Sequence, residues 1–196
     1  MRVILIMGAG LFLSGCGIFK PVKDETVRHL LEATIQGSGG GRSKPAVAVA
    51  KPSLPPYLDK SELVTRSGRG TVEVHAGELW SEPLDAAIAR VMADNLRRLK
   101  GSANIQPSGN FVSRDYDSLL EIRIERFDPL PDGSLVLECT WKVQPVGGGE
   151  VSPQSFRTVV PIIEEQGDGF GGKKGGRVVA MNEALAQLAR RVGRAL

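Results

Sequence analysis

The chain of 196 residues holds two cysteines, Cys16 and Cys139, and two histidines, His29 and His75. Those four side chains are its stock of thiol and imidazole chemistry. An imidazole serves nucleophilic catalysis when it takes a proton from Ser, Thr or Cys and is itself oriented by an acid. His75, with Glu73 and Glu78 nearby in sequence, is the candidate for such a group. No G-x-S-x-G elbow accompanies it. Two separated histidines, one spare thiol and no H-E-x-x-H make no metal-ligand cluster, so no metal or other cofactor is expected. The stretch Gly167-Asp168-Gly169-Phe170-Gly171-Gly172-Lys173-Lys174 fits G-x-x-x-x-G-K. Lys174 stands where a Mg²⁺-binding hydroxyl is needed, and Gly175-Gly176 delay the helix whose amides should face phosphate. It reads as a loop; no catalytic residues are assigned and the chain is not expected to be an enzyme.

Cys16 has a different chemistry before it. Arg2 and the α-amino group precede an apolar run, Val3 to Leu13, and then Leu13-Ser14-Gly15-Cys16. This resembles the lipobox of bacterial lipoproteins, in which the cysteine thiol is acylated (palmitate among the chains) and a signal peptidase cuts before it. The run suits a signal-peptide h-region. As a helix its eleven residues reach roughly 16 Å, short of a bilayer's hydrocarbon core. Two or more acyl chains attach a protein stably to membrane. Residues 1–15 are therefore read as signal peptide and Cys16 as the lipidation site. Gly17, in place of the Asp associated with inner-membrane retention, favours the periplasmic face of the outer membrane.

Lys and Arg number 25 against 22 Asp and Glu, a formal +3. Loss of Arg2 with residues 1–15 leaves 24 against 22, or +2. The charges are interspersed, which excludes a nucleic-acid-binding surface built on basic runs. With Cys16 acylated, Cys139 has no intrachain partner and reads as a small core hydrophobe.

The elements that must position any site follow from periodicity. Residues 16–45 read as lipid anchor and tether, with a possible first strand or short helix at 26–32 and a glycine break at 37–41. Residues 46–196 read as one α+β domain. Strands are expected at 46–50, 61–66 and 69–76. Leu84, Ile88, Val91, Met92, Leu96 and Leu99 fall on one helical stripe, with Ser81 as N-cap, Pro83 in the first turn and Lys100-Gly101 at the end. A β-meander follows: Leu120, Ile122 and Ile124 alternate with charged residues, and Leu135, Leu137, Cys139, Trp141 and Val143 share a face. A third strand spans about 155–163. After the glycine-rich stretch 167–176 a second helix carries Met181, Leu185, Leu188, Ala189, Val192 and Leu196. The fold class is α+β, a mostly antiparallel sheet with two amphipathic helices on one face. A lipid cavity between helix and sheet would be lined by residues such as Ile88 and Met92.

Two aromatic segments carry a second resemblance. Leu54-Pro55-Pro56-Tyr57-Leu58-Asp59-Lys60, followed by Leu63-Val64-Thr65-Arg66, and Leu79-Trp80-Ser81-Glu82-Pro83-Leu84 running into a helix, are similar to the ABC-type transport auxiliary lipoproteins (PqiC/YmbA-like membrane integrity lipoproteins). Two positions depart from that pattern: Arg28-His29-Leu30-Leu31 replaces a more aromatic first strand, and Lys60 stands in place of Arg. The resemblance implies a non-catalytic accessory of a lipid or hydrophobic-solute transport system, docking an MCE-domain conduit protein to the outer membrane, with self-association also open to it. A structural or assembly lipoprotein of outer-membrane biogenesis is the alternative. Tyr57 and Trp80 are the candidate partner anchors, because interfaces favour Tyr and Trp. Trp80 could equally pack beneath the helix start.

Overall fold

The computed structural model describes residues 26–37, 45–111, 115–163 and 172–196. Cys16, the signal peptide and residues 167–171 lie outside the described residues. The elements in order are β1 Val27–His29, β2 Val47–Val49, β3 Glu62–Gly68, β4 Thr71–Trp80, α1 Leu84–Lys100, β5 Ile105–Pro107, β6 Ser118–Pro129, β7 Ser134–Pro145, β8 Gln154–Pro161 and α2 Gly172–Gly193.

The class is α+β, as the periodicities predict, but the strands divide into two sheets. One holds β1-β4-β3 and the other β5-β2-β6-β7-β8. The β6-β7-β8 meander and the β3-β4 hairpin are antiparallel. β2 runs parallel to both β5 and β6, and β1 parallel to β4. Parallel neighbours need a crossover; here β3, β4 and α1 lie between β2 and β5 in the chain.

Both helices cover one face of the five-stranded sheet. Gln187 and Arg191 of α2 reach Thr158 and Gln154 of β8. Those residues pair with Leu137 and Trp141, which in turn pair with Phe127 and Ile122. That face is apolar: Leu120, Ile122, Ile124, Phe127, Leu135, Leu137, Cys139 and Trp141 are all buried. The opposite face carries cross-strand charge pairs, Glu121 with Lys142 at 2.8 Å and Arg157 with Glu138 at 2.8 Å.

The alternation in β6 does not run through unbroken. Ile124 pairs with Cys139 and Arg126 with Glu138, so one residue, Glu125, is bulged out. A one-residue bulge inverts the phase of everything after it. Phe127 thereby enters the helix-side core, fully buried, and Asp128 turns to the other face.

α1 begins at Leu84 with Pro83 as a cap residue that makes no side-chain bond. The Ser81 cap expected from sequence is not formed; the Ser81 amide instead donates to the His29 carbonyl at 2.8 Å and extends the β1 pairing. The C-terminus is as expected: Gly101 takes φ 61° and closes on Arg97. Leu99 is exposed rather than in the stripe, while Ala87, Ala89, Ala93 and Asn95 are buried. Ile88 and Met92 are fully buried members of the continuous core, not the lining of a lipid cavity.

The wide burial of α1 has a cause. Residues 30–36 run extended over the helix pair, with Leu31 fully buried and Ile35 nearly so. Their backbone is hydrogen-bonded by helix side chains. Asn182 Oδ1 accepts from the Glu32 amide (2.9 Å) and Asn95 Oδ1 from the Ile35 amide (3.1 Å). Arg90 donates to the Leu31 carbonyl, and Arg98 to those of Ala33 and Ile35. Buried backbone must be paired, and here polar helix residues supply the pairing that a sheet would.

α2 also starts earlier than the glycines suggest, at Gly172, and includes Gly175 and Gly176. A Cβ on Gly176 would stand 2.5 Å from the Ile163 carbonyl oxygen, so this glycine serves a close approach of helix to chain.

Candidate functional site

Tyr57 sits in a turn made by its own motif. Pro55 and Pro56 restrict the chain, the Leu58 amide closes on the Pro55 carbonyl at 2.9 Å, and Leu58 buries itself at 3% exposure. The half-buried phenol is then delivered to β6, where Tyr57 Oη donates to Asp128 Oδ1 at 2.7 Å. Asp128 is 1% exposed and would be costly there unpaired. It is paired twice more: Arg66 Nε of β3 lies at 3.2 Å and Arg126 Nε at 3.3 Å from Oδ2. The Arg66 guanidinium stands over the Tyr57 ring, 5.6 Å from its centroid.

The electrostatics follow the geometry. Burial, then the hydrogen bond to Asp128 and its charge, raise the Tyr57 phenol far above its ordinary range, with Arg66 opposing weakly. Burial works against the charge of Arg66, but the bond to Asp128 and its carboxylate charge outweigh it, and the guanidinium is held ionised. The cluster joins the 50–60 segment, the three-stranded sheet and the five-stranded sheet. Only the bulge at Glu125 puts Asp128 in reach.

Trp80 is placed elsewhere. It is 7% exposed and belongs to the core, its ring 6.2 Å from that of His29 and edge-on to it. Tyr57 and Trp80 therefore do not form one exposed patch, and Trp80 offers a partner little surface.

Both histidines converge on Glu78, which sequence reading placed only near His75. His29 Nε2 lies 3.1 Å from Glu78 Oε2, Arg177 of α2 at 3.3 Å from Oε1, and His75 Nδ1 at 4.0 Å. His75 Nε2 lies 2.8 Å from Thr65 Oγ1. The row Thr65–His75–Glu78 has the order of a nucleophile, base and acid. Its acid–base step of 4.0 Å exceeds a hydrogen bond, and Glu78 is already engaged by His29 and Arg177. The cluster ties β1 and α2 to β4. Cys139 is 2% exposed; burial, with the charge of Glu125, pushes its thiol up to about 12, which makes it inert.

Among the described residues no group of three or more His, Cys, Asp and Glu could hold a metal ion. Among them, too, no helix is long and apolar enough to cross a membrane.

Comparison with known proteins adds to this geometry. The model of the family described as "ABC-type transport auxiliary lipoprotein component" matches residues 29–193. A crystal structure of an uncharacterized protein superposes with a TM-score of 0.67 at 19% identity, covering 87% of this chain and 97% of the other. The crystal structure of protein XCC0632 from Xanthomonas campestris gives 0.60 at 18% identity, covering 85% and 92%. At these identities the two structures speak for the fold alone. No curated protein matches the chain in sequence.

Proposed function

The chain belongs to the ABC-type transport auxiliary lipoprotein components, a family of non-catalytic accessories, and on that premise we propose that it docks a transport conduit to the outer membrane. In this reading it is a PqiC/YmbA-like lipoprotein, acylated at Cys16 and held at the periplasmic face of the outer membrane. Its partner is an MCE-domain protein of a lipid or hydrophobic-solute transport system. The observation that carries the reading is the family match over 165 residues, 29 to 193, together with the lipobox ending at Cys16. Ten residues separate Cys16 from Val27, so β1 starts within at most roughly 40 Å of the anchor. That leash suits an adaptor working at the membrane surface.

Pull-down of the lipidated protein from crosslinked native membranes, read by mass spectrometry, tests this. Recovery of an MCE-domain protein, reduced by substitution at Tyr57, is the expected result. Recovery of outer-membrane assembly components without any MCE-domain protein would assign the chain to outer-membrane biogenesis instead.

A further inference from the structure

Beside the Tyr57–Asp128 cluster, the β3–β4 hairpin and the β6–β7 turn border an open cleft of about 570 Å³, lined by Arg66, Arg69, Arg126, Leu130 and Pro131. Its basic side chains are not equivalent. Asp128 fixes the Nε edges of both Arg66 and Arg126, so one buried carboxylate orients two guanidinium planes. Arg126 also reaches Glu138 at 3.7 Å, and Glu138 is itself paired with Arg157 at 2.8 Å. Arg69, at the hairpin tip between Gly68 and Gly70, has no ion pair among the described residues. Asp132 of the adjoining turn is occupied by the Ser134 amide and hydroxyl. The residues lining the cleft include three arginines, Arg66, Arg69 and Arg126, and no acid. The neighbouring acids are either buried or already hydrogen-bonded, while Arg69 is exposed and has no ion pair among the described residues.

We propose that this cleft binds a phosphate-bearing anion. Arginine forks match phosphate oxygens in pairs, and two forks held in place by Asp128 lose less freedom on binding than mobile lysines would. Leu130 and Pro131 add an apolar shelf beside the charges, which fits the glycerol and first methylenes of a phospholipid. The shared chemistry is a phosphate ester, supplied by a lipid headgroup or by a soluble phosphate. This site stands independently of any MCE-domain partner.

The test uses the full acylated chain in neutral detergent. Calorimetry with inorganic phosphate and with glycerol 3-phosphate reads soluble anions. Native mass spectrometry after equal loading with phosphatidylglycerol and phosphatidylcholine reads retained lipid. Arg69→Ala, which breaks no ion pair among the described residues, is expected to weaken anion binding by about tenfold with an unchanged melting temperature; Arg126→Gln is the second variant. Retention of phosphatidylglycerol over phosphatidylcholine, lost in Arg69→Ala, supports the site and assigns a lipid source. Binding of the soluble phosphates with the same loss, and no lipid preference, supports it with a soluble source. Binding of neither, or binding indifferent to both substitutions, overturns it.

Discussion

The phenol of Tyr57 donates a 2.7 Å hydrogen bond to Asp128, 71 residues away, and the carboxylate receiving it is one that solvent hardly touches. Three elements that share no backbone pairing at this point are joined by that acid: the Pro-Pro-Tyr turn, β3 through Arg66, and β6 itself.

Removing the donor leaves a buried acceptor short of a partner. Tyr57→Phe is expected to lower stability by about 1–3 kcal/mol, read by urea denaturation. Its folded-state pKa is raised, so its stabilising contribution is whole below the unfolded phenol's value, about 10, and declines as pH rises above that. Thermal melts of the native chain should therefore fall more steeply above pH 10 than those of Tyr57→Phe; parallel curves would refute the assignment.

The bulge makes a sharper prediction. Deleting Glu125 removes the extra residue and closes the bulge, so Arg126 follows Ile124 directly, opposite Glu138, and Phe127 stays on the core face with Asp128 on the other. The deletion should therefore still fold by circular dichroism, as should Glu125→Ala, which keeps the bulge. Loss of the fold in the deletion alone would refute the assignment of Glu125 as the extra residue.

Asn95 tests the clasp on residues 30–36. Asn95→Leu takes the acceptor from the Ile35 amide and should cost about 1–3 kcal/mol. Hydrogen exchange should quicken at Ile35 well before it quickens in α1.

Two adjacent glycines should respond with opposite signs. A methyl at Gly176 meets the Ile163 carbonyl, and Gly176→Ala is expected to destabilise by about 1–3 kcal/mol through overpacking. A Cβ at Gly175 has nothing within 4 Å, and in a helix Gly175→Ala should stabilise by about 0.5–1 kcal/mol. Differential scanning calorimetry of the pair decides it.

Much of the fold was legible wherever one element carried its own signal. The α1 stripe, the Gly101 terminus and the meander alternation are local patterns, set by 3.6-residue and two-residue periods, and they match the structure apart from Leu99 and a few boundaries. What failed was less local. Ser81 has the chemistry of a cap, but the helix starts only at Leu84, which puts Pro83 in the cap position while the strand pairing runs on through the Ser81 amide to His29. Gly175 and Gly176 have the composition of a loop, but packing against Ile163 drew them into α2. Trp80 had two readings that no spacing separates, because burial depends on what lies across from it.

By itself the sequence determined the class of elements, and the segments that carry its resemblances, around Tyr57 and Trp80 and the lipobox-like run before Cys16, are likewise written in contiguous residues. Only the tertiary structure decided that the strands form two sheets, that residues 30–36 are held by Asn95, Asn182, Arg90 and Arg98, and that Asp128 faces Tyr57. Each of these depends on pairing between distant segments. In β6 a single bulged residue inverts which side chains face the core, and no local pattern fixes that phase until a partner strand is in place.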